Sequence, residues 1–425
     1  MTLTKLIDLS VTNLFLIAFL SNMKLALTAL FCCVVVCACT KLSIGNDYTP
    51  AQLKPRQQGL YAQDFAQQQT KYNAALAKIK ESPDEPGNYS ALAKVYMYEA
   101  RVTGEHPYYY PAALSALEAA MQKDEKNLEA MTLKTSVLLS LHRFAEAREL
   151  ANRLTVDVPG TSAAYGMLCD ANVELGRYTE AVTAADRMMA LRPGLEAYAR
   201  VSYLREIHGD KEGAIDAMRM AVKAGLPGTE DAAWTRTTFG NVLFQQGMIA
   251  EAEQQYQLAR LERENYPFAL AGIASVRHAQ KRYDEAMILL DTALAMIPEV
   301  SFMEKKAEIQ QERGDLDGMK ASLASIEQMM NEDEQAGHVN HSDRALLYAK
   351  FNYKSDVALE HARKDIAMRP DNITSQFAMA YALYRNGKFS DAKTYMDKAL
   401  RMKTQNAEMQ ACSVLIQKSL PTASK

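Results

Sequence analysis

A small residue followed twelve positions later by proline recurs along this chain, and no other feature narrows its fold so much. It stands in "LHRFAEARELANRLTVDVP" (Ala147 to Pro159) and "LGRYTEAVTAADRMMALRP" (Ala181 to Pro193). It returns in "QKRYDEAMILLDTALAMIP" (Ala286 to Pro298) and "NYKSDVALEHARKDIAMRP" (Ala358 to Pro370). Weaker copies place the equivalent residue at Ala113, Ala214, Ala252, Met319 and Ala392. The ladder 113, 147, 181, 214, 252, 286, 319, 358, 392 advances by 34, 34, 33, 38, 34, 33, 39 and 34 residues. A fixed period of this size means one supersecondary unit repeated, each copy burying its apolar face against the next.

Two further positions keep phase with the ladder. Five residues before it stand Gly176, Gly209, Gly247, Gly314 and Gly387; twelve before it stand Thr135, Cys169, Ser202, Gly240, Ala274, Ala307 and Ala380. Antiparallel helices approach closely only where both carry small side chains. Glycine supplies the left-handed residue of the tight turn between them, and proline ends the second helix because it cannot donate the next backbone hydrogen bond. Alanine, leucine, methionine, glutamate and glutamine dominate the chain, and valine-rich alternating runs are scarce after residue 40. The expected class is all-α.

The pattern resembles the tetratricopeptide repeat, a 34-residue helix-turn-helix unit, over residues 88–405. The resemblance implies a right-handed α-solenoid of about nine units whose first helices line a concave groove that receives protein or peptide partners. Residues 58–87, with Tyr61, Phe65, Tyr72, Leu76 and Ile79 at helical spacing, are expected to cap one open end, and residues 406–425 the other. Three departures stand out: the early aromatic seen as Tyr165 is missing from several units, the first unit has an enlarged turn "TGEHPYYYP", and a polar insertion "NEDEQAGHVNHSD" spans about 331–343.

The N-terminus reads differently. "LALTALFCCVVVCAC" follows Met23-Lys24 as an apolar run behind a basic residue, the form of a secretion signal over residues 1–38, with Met23 as an alternative start. The run is short of the roughly 20 apolar residues of a comfortable span. Val36-Cys37-Ala38-Cys39 resembles a bacterial lipobox, which implies lipidation of Cys39; an uncleaved anchor helix is the alternative. Residues 39–57 lack helical period and read as a tether. The resemblance places the chain on a bacterial envelope membrane, the outer one facing the periplasm in preference, because Thr40 stands where aspartate would favour inner-membrane retention.

The formal net charge is −3, and loss of Lys5, Lys24 and Asp8 with the leader moves it to −4. That excludes the basic footprint of a nucleic-acid binder. No Walker loop, HExxH or GxSxG motif is present, and no cofactor or metal is expected. His338 and His341 with Asp343 nearby are the strongest metal candidates, but a polar loop makes a solvated histidine pair the preferred reading. Cys169 and Cys412 read as packing residues.

The candidate partner-binding residues are Tyr203, Trp234, Asn241, Phe244, Phe377, Tyr381 and Tyr384 on the first helices, beside Asp170, Glu174, Glu206 and His278. Tyr108 and Tyr109 join them as a turn patch that either meets a partner or folds back on the first repeat. The expected function is a non-catalytic, envelope-anchored scaffold binding proteins or peptides. A glycan-binding lipoprotein of a nutrient-uptake system is the alternative, disfavoured by short insertions. An enzyme finds no room for a separate catalytic fold.

Overall fold

The structure is a computed structural model that describes residues 48–57 and 61–420. The leader over 1–38, the lipidation site at Cys39 and the last five residues lie outside the described residues. The chain divides into two units, Met1–Thr49 and Pro50–Lys425. The first contributes only Tyr48 and Thr49 to the described residues, both outside regular structure. No described helix is long and apolar enough to cross a membrane.

The second unit is helical throughout. Helix α1 (Ala62–Glu81) precedes nine antiparallel pairs. The first three are α2 (Pro86–Thr103) with α3 (His106–Lys123), α4 (Leu128–Ser140) with α5 (Phe144–Asp157), and α6 (Ser162–Glu174) with α7 (Tyr178–Leu191). Then come α8 (Leu195–Ile207) with α9 (Lys211–Ala224), α10 (Glu230–Gln245) with α11 (Ile249–Glu262), and α12 (Pro267–Ala279) with α13 (Tyr283–Met296). The last three are α14 (Val300–Glu312) with α15 (Leu316–Gln335), α16 (His341–Lys350) with α17 (Ser355–Met368), and α18 (Ile373–Arg385) with α19 (Phe389–Ala399). Helix α20 (Ala407–Ser419) closes the series. This is the α-solenoid that the ladder implies.

The phased residues hold the pairs together as the sequence requires. Ala113, Ala147, Ala181, Ala252, Ala286, Ala358 and Ala392 are wholly buried, as are Thr135, Ser202, Ala274, Ala307 and Ala380 across from them. The five ladder glycines sit at positive φ, +74° at Gly176. Side-chain caps start several helices: Asn127 accepts from the Ala130 N–H, Asn372 from that of Ser375 and Asn406 from that of Met409. At the far end Met409, Cys412 and Ile416 of α20 join the cluster that holds Tyr381 and Met396, so α20 covers the last repeat.

Three expectations need correction. "TGEHPYYYP" is not an enlarged turn: Gly104 and Glu105 make the turn, and the tyrosines belong to the first turns of α3. The polar insertion is largely helical, since α15 runs on to Gln335 and α16 begins at His341. Residues 51–56 are extended but do not hang free as a tether. The Ala51 carbonyl accepts from Tyr72 and Tyr96, the Gln52 carbonyl from Tyr108, and the Lys54 N–H donates to the Tyr109 hydroxyl. Arg56 then clamps Glu99, a wholly buried carboxylate, at 2.6 and 2.9 Å. An ion pair removed from water this far persists only because its geometry repays the desolvation.

The spiral also touches itself one turn later. The Asn372 side-chain amide donates to the Val173 carbonyl at 3.2 Å, and the Ile373 N–H donates to the Tyr178 hydroxyl at 2.9 Å. Arg369 bonds Glu174 at 3.0 Å, and the Val339 N–H donates to the Leu141 carbonyl at 3.0 Å. Gly176 lies so close to Asp371 that an added Cβ would sit 2.3 Å from its carbonyl oxygen, so glycine there serves the contact as well as the turn. One apolar cluster runs across this seam, from Cys169, Val173 and Tyr178 of the third repeat to Ile373, Phe377 and Met379 of the ninth.

Candidate functional site

A half-open cavity of about 990 Å³ is walled on one side by the start of α3 and the turn after α4, and on the other by α14, α15, α16 and Glu408. Helix α3 contacts α15 directly across it. A second hollow of about 410 Å³ shares His142 and Asp343 with the first and adds Asp170, Glu174, Tyr203 and Arg369.

The larger cavity is acidic. Glu105, Glu299, Glu304, Glu332, Asp333, Asp343 and Glu408 line it against two lysines, Lys54 and Lys350. Both lysines are already engaged, with Glu105 at 2.6 Å and Glu304 at 2.8 Å. The excess shows in the acids. Burial, aided by Glu299 and Glu332, pushes the Asp333 carboxyl up to about 6. In the smaller hollow, desolvation likewise lifts Glu174 to about 7, against the pull of Arg369. Burial disfavours the Lys350 charge, yet Glu304 and Glu308 hold its pKa above the usual lysine value. Clustered carboxylates with raised pKa values attract a cation that would restore their ionised form. Tyr108 and Tyr110 supply ring surface at the same wall.

A histidine group stands at the junction of the two hollows. The rings of His142 and His338 meet edge to face with centroids 4.3 Å apart, and His142 Nδ1 is 3.6 Å from an Asp343 carboxylate oxygen. Burial lowers both imidazoles to about 4, with Arg369 adding to the effect at His142 and His142 adding to it at His338. His341, which sequence reading paired with His338, turns away instead and meets His361, Nδ1 to Nδ1, at 3.2 Å.

The candidate partner residues scatter. Tyr203 is 47% exposed and faces the smaller hollow. Trp234 is 44% exposed but lines neither cavity. Asn241 is exposed yet its side-chain oxygen accepts from the Tyr256 hydroxyl at 2.8 Å, a structural bond. Phe244 is half-buried against the cluster around Tyr256. Phe377 and Tyr381 were expected to be open and are not: at 2% and 7% exposure they stack on each other inside the core. Tyr384 is half-buried, with the Arg385 guanidinium over its ring. Tyr109, 1% exposed, folds back on the first repeat rather than meeting solvent, while half-buried Tyr108 lines the large cavity. Cys169 and Cys412 are buried, and burial pushes each thiol up to about 12, the condition of packing residues.

Sequence reasoning passed over His142, Glu299 and Asp333. His142 carried a weak signal: it occupies the turn position that glycine fills in five other repeats and adopts φ +55° there, as Lys281 does in the sixth repeat at +60°.

No curated protein matches the chain by sequence. Among solved structures, the Cut9–Hcn1 hetero-tetramer of APC/C is similar at 15% identity and a TM-score of 0.46, over 85% of this chain and 60% of that one. The present chain thus corresponds to less than two thirds of that relative's length. Yeast Tom70 is similar at 11% identity and a TM-score of 0.41, over 84% and 86% of the two chains. YrrB, described as a TPR protein with an unusual peptide-binding site, is 16% identical with a TM-score of 0.30, over 44% of this chain and 96% of its own. Residues 110–169, 237–300 and 373–406 each match the tetratricopeptide repeat as a sequence family. With these matches falling on helix pairs of the spiral at the period of the ladder, the chain is a tetratricopeptide repeat protein.

Proposed function

We propose that this protein is a non-catalytic scaffold that seats a lysine- or arginine-rich segment of a partner protein in its large acidic cavity. One observation supports this above others: carboxylates outnumber lysines seven to two around that cavity, and both lysines pair with two of those seven, which leaves five carboxylates in excess. Complementary charge steers the encounter and fixes register, while Tyr108 and Tyr110 offer rings over which a cationic side chain stacks. The same reading keeps the protein at a bacterial envelope membrane through lipid on Cys39, as the lipobox resemblance implies.

Fluorescence anisotropy with a labelled peptide of alternating lysine and leucine tests the groove, with a peptide carrying glutamate for lysine as comparison. Binding of the basic peptide alone is expected, falling as salt rises and lost in the Glu299→Lys/Asp333→Lys protein. Equal binding of both peptides, or binding indifferent to the double substitution, overturns the reading.

A further inference from the structure

We propose that His142, His338 and Asp343 form a binding site for a divalent transition-metal ion, zinc foremost, with its remaining coordination position open to the large cavity. Their ligand atoms all lie within 4.8 Å of one another, and the His142 Nδ1 to Asp343 Oδ2 pair is already at 3.6 Å. Zinc bonds of about 2.0–2.2 Å to nitrogen and oxygen place neighbouring ligand atoms roughly 3–4 Å apart. Side-chain rotation of about an ångström therefore completes the set. Two imidazoles and one carboxylate make a donor set suited to zinc and its neighbours rather than to calcium or magnesium, which take oxygen ligands.

Three features of the two histidine turns support the site. The His338 Nε2 is buried and has no hydrogen-bond partner. A polar atom withdrawn from water without a partner is costly, and a metal bond would satisfy it. The His142 ring also hydrogen-bonds the Val339 backbone, an outer contact of the kind that orients a ligating imidazole. The two histidine turns, far apart in sequence, are tied by the Val339 N–H donating to the Leu141 carbonyl at 3.0 Å, so backbone sets their spacing. Arg369 lies near, but its charge is matched by Asp365 at 2.8 Å and Glu174 at 3.0 Å. The site does not depend on which partner fills the groove.

Titration of the full-length chain with Co²⁺, read by visible absorption, and competition with Zn²⁺ test the site. One ion per chain is expected, with the absorption of a low-coordinate nitrogen–oxygen site that Zn²⁺ abolishes. Loss of an outer-shell partner costs about 10–100-fold in affinity, so His142→Ala and His338→Gln, each removing a ligand, are expected to weaken binding at least that much. The His341→Ala/His361→Ala protein should bind as the wild type does. Circular dichroism of each variant confirms that the helices persist. No binding by the wild type, equal binding by the helical His142→Ala and His338→Gln proteins, or loss confined to the His341→Ala/His361→Ala protein each overturns the proposal.

Discussion

Arg369 is the clasp between successive turns of the spiral, and its removal has a calculable consequence. The guanidinium is almost wholly buried and donates to Asp365 at 2.8 and 3.1 Å, to Ser342 at 2.8 Å and to Glu174 at 3.0 Å, with its plane over the Phe144 ring. Arg369→Met strands Asp365, which is 2% exposed and whose second oxygen already has no partner. Removing one member of a buried ion pair costs about 3–5 kcal/mol, chiefly through the charge left behind, whereas replacing both members with apolar groups is close to neutral. Glu174 is 31% exposed along its side chain and can rehydrate, so Asp365 carries most of the loss. Urea unfolding followed by circular dichroism is therefore expected to show a loss of that size for Arg369→Met and recovery of most of it in Arg369→Met/Asp365→Leu. Amide exchange at Ile373, whose N–H bonds Tyr178 across the seam, should quicken in the single variant. A double variant no more stable than the single one refutes the assignment of the cost to the buried charge.

Other outcomes follow from particular contacts. The Tyr256 ring lies in a slot between Gly240 and Gly272, where an added Cβ would stand 2.4 and 2.5 Å from ring atoms. Gly272→Ala should cost about 1–3 kcal/mol by overpacking, and Gly272→Ala/Tyr256→Leu should regain part of it; thermal melts of the pair check this. Burial and then the facing His341 depress His361 to about 4. The unfolded chain therefore binds the extra proton first, so this residue's contribution is present above about pH 6.5 and fades as pH falls toward 4. His361→Gln should flatten the fall of urea midpoint over that window, and an unchanged slope would contradict it. Radiolabelled palmitate should enter the protein in a bacterial host and be absent from Cys39→Ala.

Much of the spiral was legible because its cause is local. A helix pair needs small residues where its members cross and a left-handed residue where the chain turns, and both demands repeat every 34 residues or so. The cavity was not legible, because it arises where α3 and the turn after α4 meet α15 and Val339, nearly two hundred residues on from Leu141. That meeting depends on small rotations summed over five repeats. The error at Phe377 and Tyr381 has a related origin. A first helix faces its own partner, the next repeat and the groove, and helical period separates inside from outside but not the second face from the third. In the ninth repeat, α20 also covers what an inner repeat would leave open. His142 stood in plain view as an exception within the glycine ladder, yet its partner lies in a segment that reads as loop because "NEDEQAGHVNHSD" is so polar. The first turn misled similarly: proline at 107 and at 111 suggests a break, but Pro107 falls in the first helical turn, where proline is tolerated, and the helix continues through Pro111.

The central claim is that partners enter the acidic cavity. A photoreactive phenylalanine analogue at position 110, on the cavity wall, and at position 261, where Leu261 is 83% exposed and lines neither cavity, separates inside from outside. With the lysine–leucine peptide bound and illuminated, covalent adducts are expected from position 110 and not from 261. Adducts from 261 without any from 110 would contradict the account.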